Sequence, residues 1–478
     1  MNARRGLAGL IASVVVVGVS ADGVLAQGGR TTPRDRQQGQ PVPAPPGSTP
    51  VTTPAGAQPA AQAVELKPSP YIVREENRFK RWTLTADVNI EAYKRYLDGQ
   101  QPYNERFTFS SATIVWPLVP ETSSSVMDAV ESASGLQPAI TGVVKFQDRE
   151  VTRETMIIAA DAGGNVLHSG TWRAQWVMPP LEGALLYDGR EMSLQVVIPV
   201  TSYRTKFDER GARSVAWPQG AWPAAAHATF APQMFIDFGP DGRSYATVLS
   251  ADPVGALVSE WTDGRDPKSI APVTLAKWFA GKVVEHVQLS GDGLAFDRTG
   301  MIEGLDLKGA PLTALEKRGS EYDMACLLAA VYRKAGLPAR IVVGYDNESR
   351  SGKQIYLKRP KSVPDLRAWV EFALYDEANG TFGWVPVDPA AMRGSSSRLP
   401  PNFMDRDLRF FGTHDELDRV VPFAFHFHPP TTVRAHGSPG FWGWFVTPVP
   451  PDRAFQRLSF RAQTTPARAT PPGARPGR

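Results

Sequence analysis

The 478-residue sequence has almost no cysteine. A single thiol, Cys326, cannot close an intrachain disulfide, so stability has to come from burying apolar side chains. Apolar runs long enough for a comfortable bilayer span are also lacking. The run Leu7 to Val19 is too short, follows Arg4 and Arg5, and precedes the small-residue pattern Val24-x-Ala26, which is the layout of an export signal over residues 1–26. An uncleaved N-terminal anchor is the alternative, and the lack of a cysteine after the run excludes a lipoprotein anchor there. Charge excess is small, +4 from 52 Lys and Arg against 48 Asp and Glu. Arg453, Arg457, Arg461, Arg468, Arg475 and Arg478, even less Asp452, already exceed it, so the rest of the chain is near neutral or slightly acidic. That balance argues against a nucleic-acid partner and leaves only a basic tail able to associate weakly with an acidic envelope surface.

What is present suggests two domains between two tails. Gln27 to Pro68 and Pro448 to Arg478 are dominated by small and Pro residues and read as a disordered linker and tail, because such segments bury too little to offset the entropy of ordering. In 69–250 the pattern alternates. "WTLTADVNI" puts Trp82, Leu84, Ala86, Val88 and Ile90 on one face, further alternating runs follow, and "DAGGN" (Asp161 to Asn165) reads as a hairpin turn. This predicts an N-terminal β-sandwich. After about Ser250 the period becomes helical. "APVTLAKWFAGKVVEHVQ" places Leu275, Trp278, Phe279, Val283 and Val287 on one helix face, and Ser320 to Ala335 reads as a second helix stopped by Gly336. Strands follow at "ARIVVGY", "RAWVEFALY" and "GWVPVDP", an α+β order in which 251–447 packs a central helix on an antiparallel sheet.

The blocks "GSEYDMACLLAAVYRKAGLPARIVVGY", "LRAWVEFAL" and "GWVPVDP" resemble the core of the transglutaminase-like family, a branch of the papain-like cysteine enzymes. The resemblance runs from about Pro272 to Pro430. It implies a nucleophilic thiol at the start of the central helix, an imidazole on the next strand block and an orienting carboxylate after the third. Here the thiol position holds Glu321, the imidazole position holds Arg367, and only the carboxylate, Asp388, matches. A carboxylate is a poor acyl-transfer nucleophile, and an arginine does not surrender its proton to act as a base. Cys326 lies five residues after Glu321, about 140° around the helix, between apolar neighbours, and reads as packing.

Glu321 and Arg367 repeat the signs of a thiolate and an imidazolium, which predicts a salt bridge across the cleft. Ser320 and Asp323 read as a helix N-terminal cap. With Trp369, Trp384 and Asp388, these residues are expected to line an inherited cleft. The resulting expectation is an exported, periplasmic or extracellular, non-catalytic binding or scaffold module for a peptide, protein or cell-wall ligand, with no cofactor. The alternative is an active acyl-transfer or hydrolytic enzyme with an unorthodox site, for which Glu321, Asp323 and Asp388 would be the carboxylates. His426 and His428 are a weak candidate metal pair, with His414, Asp415 or His436 as further ligands, and Trp442 or Trp444 offer a stacking platform if exposed.

Overall fold

Alternation in the N-terminal half produces the strands it predicts. A computed structural model describes residues 66–92, 94–95, 103–104, 107–109, 111–132, 135–146, 149–150, 156–158, 172–177, 184–186, 192–230, 252–296, 302–347, 366–395, 402–426, 443–447 and 454–464. Strand β1 (Ile72–Ala92) buries Trp82, Leu84, Ala86 and Val88. In the same sheet lie β2 (Thr141–Phe146) and, between it and β1, β3 (Met192–Phe207), the latter burying Met192, Leu194, Val196, Ile198 and Val200. β1 and β3 pair antiparallel from Ile90↔Met192 to Ile72↔Phe207, with a bulge beside Tyr203. The "DAGGN" turn lies outside the described residues.

The second half begins with helices α1 (Pro253–Trp261) and α2 (Pro272–His286), both with Pro in the first turn, where a missing N–H costs nothing. Leu275, Phe279 and Val283 are buried along α2 as the helical spacing predicts, and Trp278 is half-buried. Short strands β4 (Leu294–Phe296) and β5 (Ile302–Leu305) lead to α3 (Gly309–Glu316) and to the central helix α4 (Glu321–Lys334). Gly336 follows with φ +84°, the left-handed conformation that stops a helix at little cost when no Cβ is present. Then come β6 (Ala339–Asp346), β7 (Leu366–Asp376), β8 (Thr381–Val387), β9 (Val420–Phe425) and β10 (Ala454–Thr464).

Five strands form the sheet under α4, in the order Lys67–Pro68, β8, β7, β6, β9. All its pairings are antiparallel except the short Lys67–Pro68 strand beside β8. Helix α4 lies against β6 and β7 and is flanked by α1, α2 and α3. Its buried residues share one core with Leu366, Ala368, Val370 and Phe372 of β7, and Cys326 is fully buried in that core. The chain is thus a sheet-rich α+β protein with a central helix packed on a mainly antiparallel sheet, the arrangement that the resemblance implies. Among the described residues no helix is long and apolar enough to cross a membrane.

The second sheet departs from the sequence expectation. Its order is Arg149–Glu150, β2, β3, β1, β10, β5, β4, so strands from beyond residue 290 join those from before residue 210, and the sheet crosses the boundary expected at residue 250. The stretch from 448, read above as a disordered tail, contains β10. It pairs with β1 from Trp82↔Thr464 to Ala92↔Ala454. Leu458 is fully buried and Phe460 stacks on Phe423, with ring centroids 4.9 Å apart. The composition of the region, averaged over many Pro and Arg residues, hides a short alternation (Leu458, Phe460, Ala462) whose ladder partner lies more than 360 residues earlier in the chain. Residues 67–68 of the expected linker are likewise paired, with Thr381 and Phe382.

Candidate functional site

The central helix starts at a capping box. Ser320 Oγ accepts from the Asp323 N–H at 3.2 Å, and the Asp323 carboxylate accepts from the Ser320 N–H at 2.8 Å. The same carboxylate also takes the Ser320 hydroxyl at 2.8 Å and the N–H groups of Lys308 at 2.8 Å and Gly309 at 3.3 Å. Burial raises its pKa, and these donors pull it back. Asp323 is therefore occupied in joining α3 to α4. Glu321, in the first turn, is half-buried.

Strand β7 sorts its side chains by parity. Leu366, Ala368, Val370 and Phe372 face the core shared with α4, so Arg367, Trp369 and Glu371 project from the opposite face. Val370 pairs with Val387, and continuing that register sets Asp388 opposite Trp369, diagonal to Arg367. The contact follows: Arg367 Nε donates to Asp388 Oδ2 at 2.7 Å, and Nη2 is also 2.7 Å from that oxygen. The other Asp388 oxygen accepts from the Ala391 N–H at 2.8 Å, capping the short helix Pro389–Ser395. Arg367 Nη1 lies 3.3 Å from Glu416 Oε2 and 3.6 Å from Asp346 Oδ2. Arg419 closes the ring, 2.9 Å from Glu416 and 3.2 Å from Asp346. The Arg367 side chain is 3% exposed. The carboxylates that hold Arg367 are thus Asp388, Glu416 and Asp346, where the sequence reading had expected Glu321.

His414 completes the cluster. Its ring is fully buried, with Nε2 3.2 Å from Arg367 Nη2 and 3.5 Å from Asp388 Oδ2, while Nδ1 accepts from the Glu416 N–H at 3.3 Å. Burial, and then the adjacent guanidinium, lower its pKa to about 4, so the imidazole is neutral at neutral pH. Sequence reasoning considered His414 only as a metal ligand. Nothing in its spacing signals this contact, because the strand ladder is what brings residue 414 beside residues 367 and 388.

A second buried cluster sits four residues along β7. Glu371 Oε2 accepts from Arg340 Nε at 2.9 Å and Nη2 at 2.7 Å, and Oε1 accepts from the Ser123 N–H at 2.9 Å and hydroxyl at 2.5 Å. The guanidinium of Arg340 is sandwiched between the rings of Trp384 (4.1 Å) and Phe425 (4.3 Å). Trp369 is fully buried in a small cluster with Val119, Leu417 and Val420. Glu371 was legible in principle, since alternation from Arg367 along an apolar strand places it on the same face.

Of the seven residues expected to line a cleft, Ser320, Asp323, Arg367, Trp369 and Asp388 are buried, and Glu321 and Trp384 are half-buried. The structure joins Ser320 to Asp323 and Arg367 to Asp388. His426 is buried, with φ +67°, and His428, His436 and Trp442 lie outside the described residues. Among the described residues no group of three or more His, Cys, Asp or Glu is placed to hold a metal. Chemically, the cluster stores charge in matched pairs. Its one imidazole, His414, is held neutral by burial and by the adjacent Arg367 guanidinium.

Residues 298–389 match the family model of the transglutaminase-like superfamily. No curated protein matches the sequence. Among solved structures, a candidate cysteine protease from Cytophaga hutchinsonii is similar at 13% identity and a TM-score of 0.42, covering 84% of this chain and 95% of its own. The periplasmic domain of TgpA from Pseudomonas aeruginosa, bound to ethylmercury, is similar at 14% identity and a TM-score of 0.24, covering 62% of this chain and 94% of its own. A candidate protease from Parabacteroides distasonis has 10% identity and a TM-score of 0.20, covering 58% and 43%. Residues 298–389 thus form a transglutaminase-like domain within the longer chain.

Proposed function

We propose that this is an exported protein whose transglutaminase-like domain no longer catalyses acyl transfer and serves as a binding or scaffold module for a peptide, protein or cell-wall ligand. One observation supports this above the others: the position that would carry the imidazole holds Arg367, which is buried and committed to Asp388, Glu416 and Asp346. A guanidinium so held cannot accept a proton, and the one imidazole beside it has its pKa pulled down to about 4. Glu321 and Trp384 keep part of their surface in solvent and are the inherited positions left for a ligand to touch. Export rests on Arg4, Arg5 and the apolar run that follows. The N-terminal strands are read as a β-sandwich, in which Trp116 of a four-stranded sheet (Met156–Ile158, Trp172–Val177, Ser111–Leu118, Gly443–Thr447) lies against Phe460 of β10, with ring centroids 6.4 Å apart.

The test is turnover. The protein is incubated with a glutamine donor peptide and a labelled amine, and separately with cell-wall peptides. No covalent or cleaved product is expected. Product formation that persists in Cys326→Ala and disappears in Glu321→Ala would overturn the proposal in favour of an active enzyme with an unorthodox site.

A further inference from the structure

Residues 402–419 run over the domain with only two single 3-10 turns, Phe403–Asp405 and Leu417–Arg419. Both ends are firmly held. At the first, the fully buried Lys277 of α2 donates to Met404 O at 3.3 Å and Arg406 O at 2.5 Å, and Trp278 stacks on Phe403 at 5.9 Å. At the second, Asp418 takes the Trp82 indole N–H on its carbonyl at 2.9 Å and Arg204 of β3 on its carboxylate at 3.1 Å.

The middle is held differently. Phe410 has φ +70°, a conformation that is costly for a side-chain-bearing residue and persists only where its surroundings enforce it. Gly412 has φ +71°, and a Cβ there would come within 2.3 Å of the Phe207 ring. His414 pairs its backbone with Thr205 of β3, and its ring enters the charge cluster. The groups facing that ring are Arg367 from β7 and Asp388 from the end of β8, with Asp346 of β6 reached through Arg367. Its own segment adds Asp415 and Glu416, which Arg409 and Arg419 neutralise.

Protonating His414 in place sets a second cation 3.2 Å from Arg367. Asp388 cannot fully compensate, because its nearer oxygen already carries two guanidinium nitrogens at 2.7 Å. We propose that residues 409–416 form an acid-released latch over the former catalytic positions, with His414 as the group whose protonation frees it. The released state uncovers Arg367 and Asp388 while α2 and β3 keep hold of both ends. This goes beyond the binding proposal and does not depend on it, since it concerns the segment and not any ligand.

The sign follows from linkage. The ring is neutral in the closed state, with a pKa of about 4, and takes up a proton readily once released, near the ordinary 6.5. Opening therefore binds a proton and is favoured as pH falls between those values, by about 40-fold from pH 6.5 to 4.5. Hydrogen exchange on the full-length protein, expressed as protection factors so that the intrinsic pH dependence cancels, reads this directly. Amides of 409–416 are expected to lose about 40-fold in protection over that interval, β6 and β7 to keep theirs, and His414→Gln to be flat. Unchanged protection in the wild type, parallel loss throughout the domain, or a His414→Gln profile matching the wild type would each overturn the latch. Should that variant not fold, the imidazole titration of wild-type His414 by NMR decides. Latch opening that tracks its protonation supports the proposal, and opening with the ring still neutral refutes it.

Discussion

Arg367 sits at the centre of a buried charge cluster with Asp388, Glu416 and Asp346. Its planar fork reaches several carboxylates at once, which a lysine cannot reproduce. Arg367→Ala leaves Asp388, Glu416 and Asp346 buried near one another without their shared cation, and is expected to cost about 3–5 kcal/mol in urea unfolding. In a double-mutant cycle, Arg367→Ala with Glu416→Gln is expected to show a coupling of about 0.5–3 kcal/mol, and strict additivity would mean that the 3.3 Å contact contributes nothing. The sequence reading set Arg367 against Glu321; its contact with Asp388 follows from the β7–β8 register, which places the two one diagonal apart. Asp346, Glu416 and His414 were not legible as its partners, because each belongs to a segment whose sequence position says nothing about which strand face it meets.

At the scale of the element, the central helix shows how much local chemistry can specify. Ser-x-x-Asp before an apolar run predicts the capping box, and the box is present. The same carboxylate also satisfies two N–H groups at the start of α3, which no helix-propensity rule reveals. Ser320→Ala is accordingly expected to cost about 1 kcal/mol, an ordinary N-cap loss. Asp323→Ala, which strands several buried donors, is expected to cost roughly 2–4 kcal/mol. Thermal or denaturant melts giving the two variants equal losses would show that the α3–α4 junction does not depend on Asp323. Helix α2 teaches the complementary lesson. Its apolar face was read correctly, yet Lys277 on that helix is fully buried, its ammonium 2.7 Å from Glu209, 68 residues earlier in the chain. Only a tertiary partner makes that position tolerable for a cation.

For the whole molecule, the decisive feature is β10 lying between β1 and β5. It joins the N-terminal strands to those flanking the transglutaminase-like core in one sheet, so the two halves are coupled by backbone hydrogen bonds. A chain ended at residue 450 would leave the edge of β1 unpaired over Trp82–Ala92 and remove Leu458 and Phe460 from the core. Such a truncation is expected to aggregate or to lose cooperative unfolding, because a long open edge templates further pairing. A soluble, cooperatively folding 1–450 fragment would show that β10 is dispensable and that the halves fold independently.

Sequence alone determined what depends on neighbours along the chain: the alternation of β1 and β3, the amphipathic face of α2, the cap and stop of α4, and the burial of Cys326. Each is set by a short-range period or by the chemistry of one side chain. Tertiary structure decided the rest. Placing β10 in a sheet, bringing His414 and Glu416 to Arg367, and burying Lys277 against Glu209 all require segments tens to hundreds of residues apart to meet. Those meetings are selected by ladder register and by the desolvation of charge, and no window of the sequence contains both partners.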